Sequence, residues 1–215
     1  MFEGYSPETV DFLWGIRMNN NREWFLEHKT EYVKHLYEPT KALGQEIMEL
    51  VLDKPGELVK VSRIYRDARM HHTQPYKESL WICVRRDVEW WAENPCLYFE
   101  ICPEGVSYGF LFYRPRPSTM EAIRKRIAEQ PKTFLKLIRD TEKATGIPVT
   151  AQLYKRPKEA PSPELAPYFA WKGVIGCIAE EPVSEAMFGP ALGDRVREML
   201  TKLMPLYDFF NQFTV

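Results

Sequence analysis

Leu97-Tyr98-Phe99-Glu100-Ile101-Cys102-Pro103-Glu104-Gly105-Val106-Ser107-Tyr108-Gly109-Phe110-Leu111-Phe112-Tyr113 reads as two apolar-rich strands, Leu97 to Cys102 and Val106 to Tyr113, around a tight turn. Proline suits the second position of that turn and Gly105 accepts a positive φ, so the segment is a hairpin and the sheet it begins is antiparallel. Working upstream, Val59-Lys60-Val61 and Leu80-Trp81-Ile82-Cys83-Val84 carry the same strand character, which places strands and hairpin over about 57–113.

Beyond this block the period changes to helical. Ser6-Pro7-Glu8 supplies an N-cap, a proline at the first helical position and an acid favoured by the helix dipole, and Val10, Leu13 and Trp14 mark the buried face that follows. Asn19-Asn20-Asn21 gives a turn and the next N-cap. Phe25, Tyr32, Leu36, Leu43, Ile47 and Leu50 then recur at helical spacing, with a kink expected at Pro39, so residues 5–52 are helical.

Downstream, Ser118-Thr119-Met120-Glu121 reads as a capping box, Ile123 and Ile127 share a face, Pro131 restarts the helix, and Phe134, Leu135 and Ile138 lead to a stop at Gly146. Residues 148–167 hold five prolines and many charges and read as a long surface loop. A strand from Val174 to Ala179 follows. Ser184 caps a turn in which Val183 staples to Phe188, and Leu192, Val196, Met199, Leu200 and Leu203 form an amphipathic helix, filling 173–213. Helices at both ends bracketing hairpin-connected strands predict a single α+β domain over 1–215, with a mainly antiparallel sheet covered by N-terminal and C-terminal helices.

A chain of 215 residues buries roughly 70% of its unfolded surface and needs no staples. Its 29 Lys and Arg against 30 Asp and Glu leave no global field to draw it to nucleic acid or an anionic membrane, so any anion binding is local. Cys83, Cys96, Cys102 and Cys177 lack metal-type or redox spacing and read as buried reduced thiols. Met1-Phe2-Glu3-Gly4-Tyr5 has neither a basic region nor an apolar core, and no run of about 18 apolar residues occurs, which predicts a cytoplasmic, soluble protein.

Chemistry concentrates in Arg63-Ile64-Tyr65-Arg66-Asp67-Ala68-Arg69 and Pro75-Tyr76-Lys77. Read as strand, the first segment points Arg63, Tyr65, Asp67 and Arg69 to one face and Ile64, Arg66, Ala68 and Met70 to the other. Arg66 then lies among apolar neighbours and needs a carboxylate or an anionic ligand. Arg63, Arg66, Arg69 and Lys77 therefore form a candidate phosphate or carboxylate site, with the Tyr76 hydroxyl as a further donor. The competing reading is an ion-pair lattice with Asp67, Glu78 and Glu100, in a non-catalytic module that meets a protein partner through Trp90-Trp91 and the proline-rich loop. Whether the chain is an enzyme stays open. His71-His72 face opposite ways on an extended chain and lack a third ligand, so no metal is expected; no Gly-rich phosphate loop or nucleophile elbow appears, and no cofactor is expected. His28 reads as a packed histidine a helical turn from Trp24 and Tyr32, Trp14, Trp24 and Trp81 as core, and Arg124-Lys125-Arg126 as a solvated helix face.

Asn19-Asn20, Glu23-Trp24-Phe25, Arg66-Asp67-x-Arg69, Pro75-Tyr76-Lys77 and Arg114-Pro115 together resemble a bacterial and fungal family of conserved proteins known as domain of unknown function 2461. The likeness runs from Phe2 to Pro205-Leu206-Tyr207. Met70 stands where that family typically has Phe, and the gap His71-His72-Thr73-Gln74 is about a residue shorter than the family's and lacks its acid and lysine. The resemblance implies a single-domain α+β protein and carries no accepted activity.

Overall fold

The computed structural model describes residues 1–67, 69–71 and 73–214; the readings made for Ala68 and His72 fall outside them. The elements are α1 (Pro7–Met18), α2 (Arg22–Glu27), α3 (Lys29–Glu31), a π-helical turn (Tyr32–Tyr37), α4 (Glu38–Met48), β1 (Glu57–Val61), β2 (Leu80–Arg86), β3 (Pro95–Cys102), β4 (Gly105–Phe112), α5 (Pro117–Glu129), α6 (Pro131–Thr145), β5 (Thr150–Leu153), α7 (Ala166–Phe169), β6 (Trp171–Pro182) and α8 (Ala191–Asn211), with short 3-10 turns between some of them. The strands form an antiparallel sheet in the order β1-β2-β3-β4-β6-β5, and the fold is α+β with helices at both ends.

Chain contacts divide into two compact units. The first comprises Met1–Val84, Tyr98–Tyr108 and Glu180–Glu198. Its core holds Phe12, Leu13, Ile16, Phe25, Leu36, Leu43, Ile47, Phe99 and Ile101, all at most 3% exposed. α4 lies on β1 at Gly44, where an added Cβ would come within 2.9 Å of a Val61 methyl. The expected kink at Pro39 is a π-helical turn with a definite cause. Proline has no N–H to offer the carbonyl four residues earlier, so the His35 carbonyl loses its helical donor. The Thr9 hydroxyl of α1 replaces it, donating to that oxygen at 2.6 Å. Thr9 is fully buried for this reason, and the buried stripe of α1 becomes Thr9, Phe12, Leu13 and Ile16. Trp14, expected on that stripe, is 40% exposed with the Arg17 guanidinium 4.9 Å above its ring.

The second unit comprises Arg85–Leu97, Gly109–Ala179 and Met199–Val215. Phe110 and Phe112 of β4 pack on Phe210 of α8 at centroid distances of 5.4 and 6.0 Å. α5 begins at Pro117 with Arg116 as N-cap rather than at the Ser118 capping box, because the proline's fixed φ already suits the first helical position. α6 ends on left-handed Gly146 as expected. The segment read as one long loop over 148–167 contains β5, an edge strand pairing antiparallel with β6 through register shifts between Thr150, Gln152 and Leu153, and then helical turns at Pro163–Leu165 and Ala166–Phe169. Proline density concealed that strand, whose four residues contain none of the prolines.

Candidate functional site

Site geometry in the first unit starts from the segment between β1 and β2. It is not a continuous strand through Arg69. Its ladder is a single antiparallel bridge, Tyr65 opposite Tyr76, closed by Arg66 N–H donating to the Pro75 carbonyl at 2.8 Å and Lys77 N–H to the Ile64 carbonyl at 2.7 Å. Past Arg66 the Asp67 carboxylate accepts the Arg69 N–H at 3.0 Å and the Asp67 carbonyl accepts from Met70 and His71, an Asx-type turn that ends the extended chain. Met70 is consequently 77% exposed instead of sharing the inner face with Ile64, which is 1% exposed.

The inner side of this segment is closed by residues of the helical region. Asn20 donates to the Tyr76 carbonyl and accepts the Tyr76 N–H, both at 3.0 Å, so one side-chain amide satisfies both backbone groups. The Tyr76 ring stacks on Phe25 at 4.3 Å and is 4% exposed. Tyr65 meets Phe25 edge-on at 5.7 Å, and Tyr32 packs on Phe25 at 5.5 Å. Asn21 caps α2 by accepting the Trp24 N–H, and Trp24 stacks on His28 at 4.0 Å.

On the outer side lies an open groove of about 480 Å³ lined by Arg17, Arg66, His71, Lys77, Glu78, Ser79, Glu100 and Cys102. Glu78 is shared unequally between two arginines. Arg17 Nε donates to its carboxylate at 2.7 Å, whereas the nearest Arg66 nitrogen stands 3.7 Å away. The other Arg66 contact, to Gln74 Oε1, is also long at 3.4 Å. Arg17 additionally grips Glu104 with both terminal nitrogens, which holds the Glu104 carboxyl down at about 2. Lys77 Nζ donates to the Arg63 carbonyl at 2.7 Å, sits 5.4 Å from the Trp81 ring and forms no ion pair among the described residues. Partial burial first, then repulsion from Arg63 and Arg66, lowers its pKa, against the pull of Glu100. Glu100 accepts from the Ser79 hydroxyl at 2.6 Å. Burial raises the Cys102 thiol above its ordinary value, so it stays protonated at neutral pH.

Of the five residues proposed for ligand contact, the groove therefore unites Arg66 and Lys77. Arg66 is about a quarter exposed, not enclosed by apolar groups. Arg63 contributes a backbone carbonyl and an exposed side chain outside the groove lining. Arg69 forks onto Asp67, 88% exposed, and holds that carboxyl at about 2. Tyr76 points inward, since the bridge that orients it places its ring against Phe25. Arg17, near the end of α1, joins the groove from a distant part of the sequence, and nothing local in the sequence marks it. In the second unit, Arg124 departs from the solvated-face reading at 7% exposed, while Lys125 is exposed and 4.0 Å from Glu129.

Cys83, Cys96, Cys102 and Cys177 are all free thiols, Cys102 less buried than the rest. Among the described residues no group of three or more His, Cys, Asp and Glu is placed to hold a metal ion, and no helix is long and apolar enough to cross a membrane. No curated protein matches the chain. The model of one family, described as conserved hypothetical protein (DUF2461), matches residues 8–209, and the chain belongs to that family.

Proposed function

We propose that the protein binds a small molecule bearing a phosphate or carboxylate in the groove between Arg66 and Lys77. The observation that carries this is the unequal sharing of Glu78: Arg17 takes its carboxylate at 2.7 Å and leaves Arg66 with contacts of 3.4 and 3.7 Å. A guanidinium so held retains free fork geometry for an incoming oxyanion, and the neighbouring ammonium of Lys77 supplies a second charge without a carboxylate of its own. Glu78 and Glu100 line the same groove and disfavour anions that fill it, which selects a compact group approaching from the Arg66 and Lys77 side.

A protein-interaction module is the second reading, favoured by one observation: Trp90 is 58% exposed. Its neighbour Trp91 is less available, with the Arg85 guanidinium 5.5 Å from its ring. A thermal-shift screen over nucleotides, sugar phosphates and organic acids discriminates between the two. An anion at about 100 times its dissociation constant adds roughly 2.7 kcal/mol of stability. The ligand reading expects at least one such hit, weakened but not abolished by Lys77→Ala. Absence of any hit, or hits every one of which is indifferent to Lys77→Ala and Arg66→Ala alike, would refute it.

A further inference from the structure

A buried arginine ordinarily comes with a carboxylate, because a guanidinium taken out of water loses hydration that only a counter-charge or several acceptors replace. Arg124 is 7% exposed on the inner face of α5, beside Met120, Ile123 and Ile127. Among the described residues it forms no ion pair. Its one hydrogen bond among them runs from Nη1 to the Trp171 carbonyl at 3.2 Å, and its guanidinium carbon stands 6.0 Å from the centre of the Tyr154 ring. A guanidinium has five N–H donors, so most of this one's capacity is unused. The remaining nitrogens are not sealed off: Arg124 lines an open groove of about 340 Å³ with Lys125, Lys158, Glu121, Glu159 and Phe169. Glu121 and Glu159 belong to the same rim, yet neither reaches Arg124.

We propose that this groove is an oxyanion site of the second unit, with Arg124 as the fork, Lys158 as an exposed second cation and the Tyr154 ring beside the guanidinium. Its ligand is a compact phosphate or carboxylate group. Burial on the α5 face and the hydrogen bond to the Trp171 carbonyl restrict the fork in advance, so less side-chain freedom is lost when an oxyanion takes the unused donors. Lys125 is drawn toward Glu129 and contributes field more than contact. The site does not rest on the Arg66 groove, whose residues belong to the first unit.

The test is titration of the full chain with inorganic phosphate and, separately, malonate, followed by calorimetry and by NMR of the arginine Nε–H signals. The expected result is saturable binding of one or both, with the Arg124 signal shifted. Phosphate alone assigns a phosphate ligand, and malonate alone a carboxylate ligand. Lys158→Ala, at an exposed position, should weaken binding several-fold, and Arg124→Gln should reduce it by about tenfold or more, as expected for loss of a charge-assisted fork. Arg66→Ala should leave this binding unchanged. The proposal is overturned if neither anion moves the Arg124 signal in the wild type, or if the binding that Arg66→Ala leaves in place also survives Arg124→Gln. It is equally overturned if Arg66→Ala alone removes the binding. Should Arg124→Gln fail to fold, the wild-type Arg124 signal and Lys158→Ala decide the matter.

Discussion

The two sides of the segment joining β1 and β2 differ in how completely their polar groups are answered. Inside, Asn20 satisfies both backbone groups of Tyr76 and the ring stacks on Phe25. Outside, Arg66 has two long contacts and Lys77 a carbonyl and an aromatic face. The adjacent residues Tyr76 and Lys77 thus serve different ends, the first fixing the backbone and the second presenting charge from it. A rigid inner side is what lets the outer side keep cations under-satisfied, since the loop's position does not depend on their pairing.

The largest effect belongs inside. Tyr76→Ala should cost about 3–5 kcal/mol, the usual range for removing a fully packed aromatic, read as a lower urea midpoint. A loss below about 1 kcal/mol would show that the inner side is not the anchor. Asn20→Ala should cost about 1–3 kcal/mol by stranding the Tyr76 amide and carbonyl. Asn20→Asp sharpens this, because a carboxylate still accepts but no longer donates, and stability should not be restored.

Outer-side charges act through pH. The Glu104 carboxyl, held at about 2 by Arg17 against an ordinary 4.5, stabilises the fold above pH 4.5 and ceases to as pH falls toward 2. Arg17→Met should flatten the acid limb of the melting temperature within that window; an unchanged limb would mean the pair is screened by solvent. Lys77 has the opposite sign. Its lowered pKa means that the charged form opposes folding below the folded value, and that penalty fades as pH rises toward 10.5. An anion bound beside it should raise that pKa, so calorimetry in alkaline buffers of different ionisation heat should report fractional proton uptake that Lys77→Met removes. This is the smallest effect of the series.

Periodicity made most of the framework legible. The hairpin at Pro103-Glu104, the Ser6 and Asn21 helix starts and the Gly146 stop all rest on local chemistry, and each stands where local chemistry puts it. Burial argued from strand alternation failed at Met70, because the Asp67 side chain turned the chain two residues after Tyr65. The same alternation made Arg66 the enclosed cation, whereas Arg124, on a helix face that reads as solvated, is an enclosed arginine with no carboxylate among the described residues. Arg17 was illegible for another reason: it joins Glu78 and Glu104 across 61 and 87 residues of sequence, and only the fold brings them together.

The central claim is that Arg66 serves a ligand and not the architecture, and Arg66→Ala tests it through two readings on one protein. The account predicts apo stability within about 1 kcal/mol of wild type, as for other loosely held ion pairs near the surface, together with loss of the thermal shift given by the best anionic hit. Destabilisation by about 3–5 kcal/mol, the cost of breaking a buried pair, with the anion-induced shift retained, would contradict it and return Arg66 to the framework.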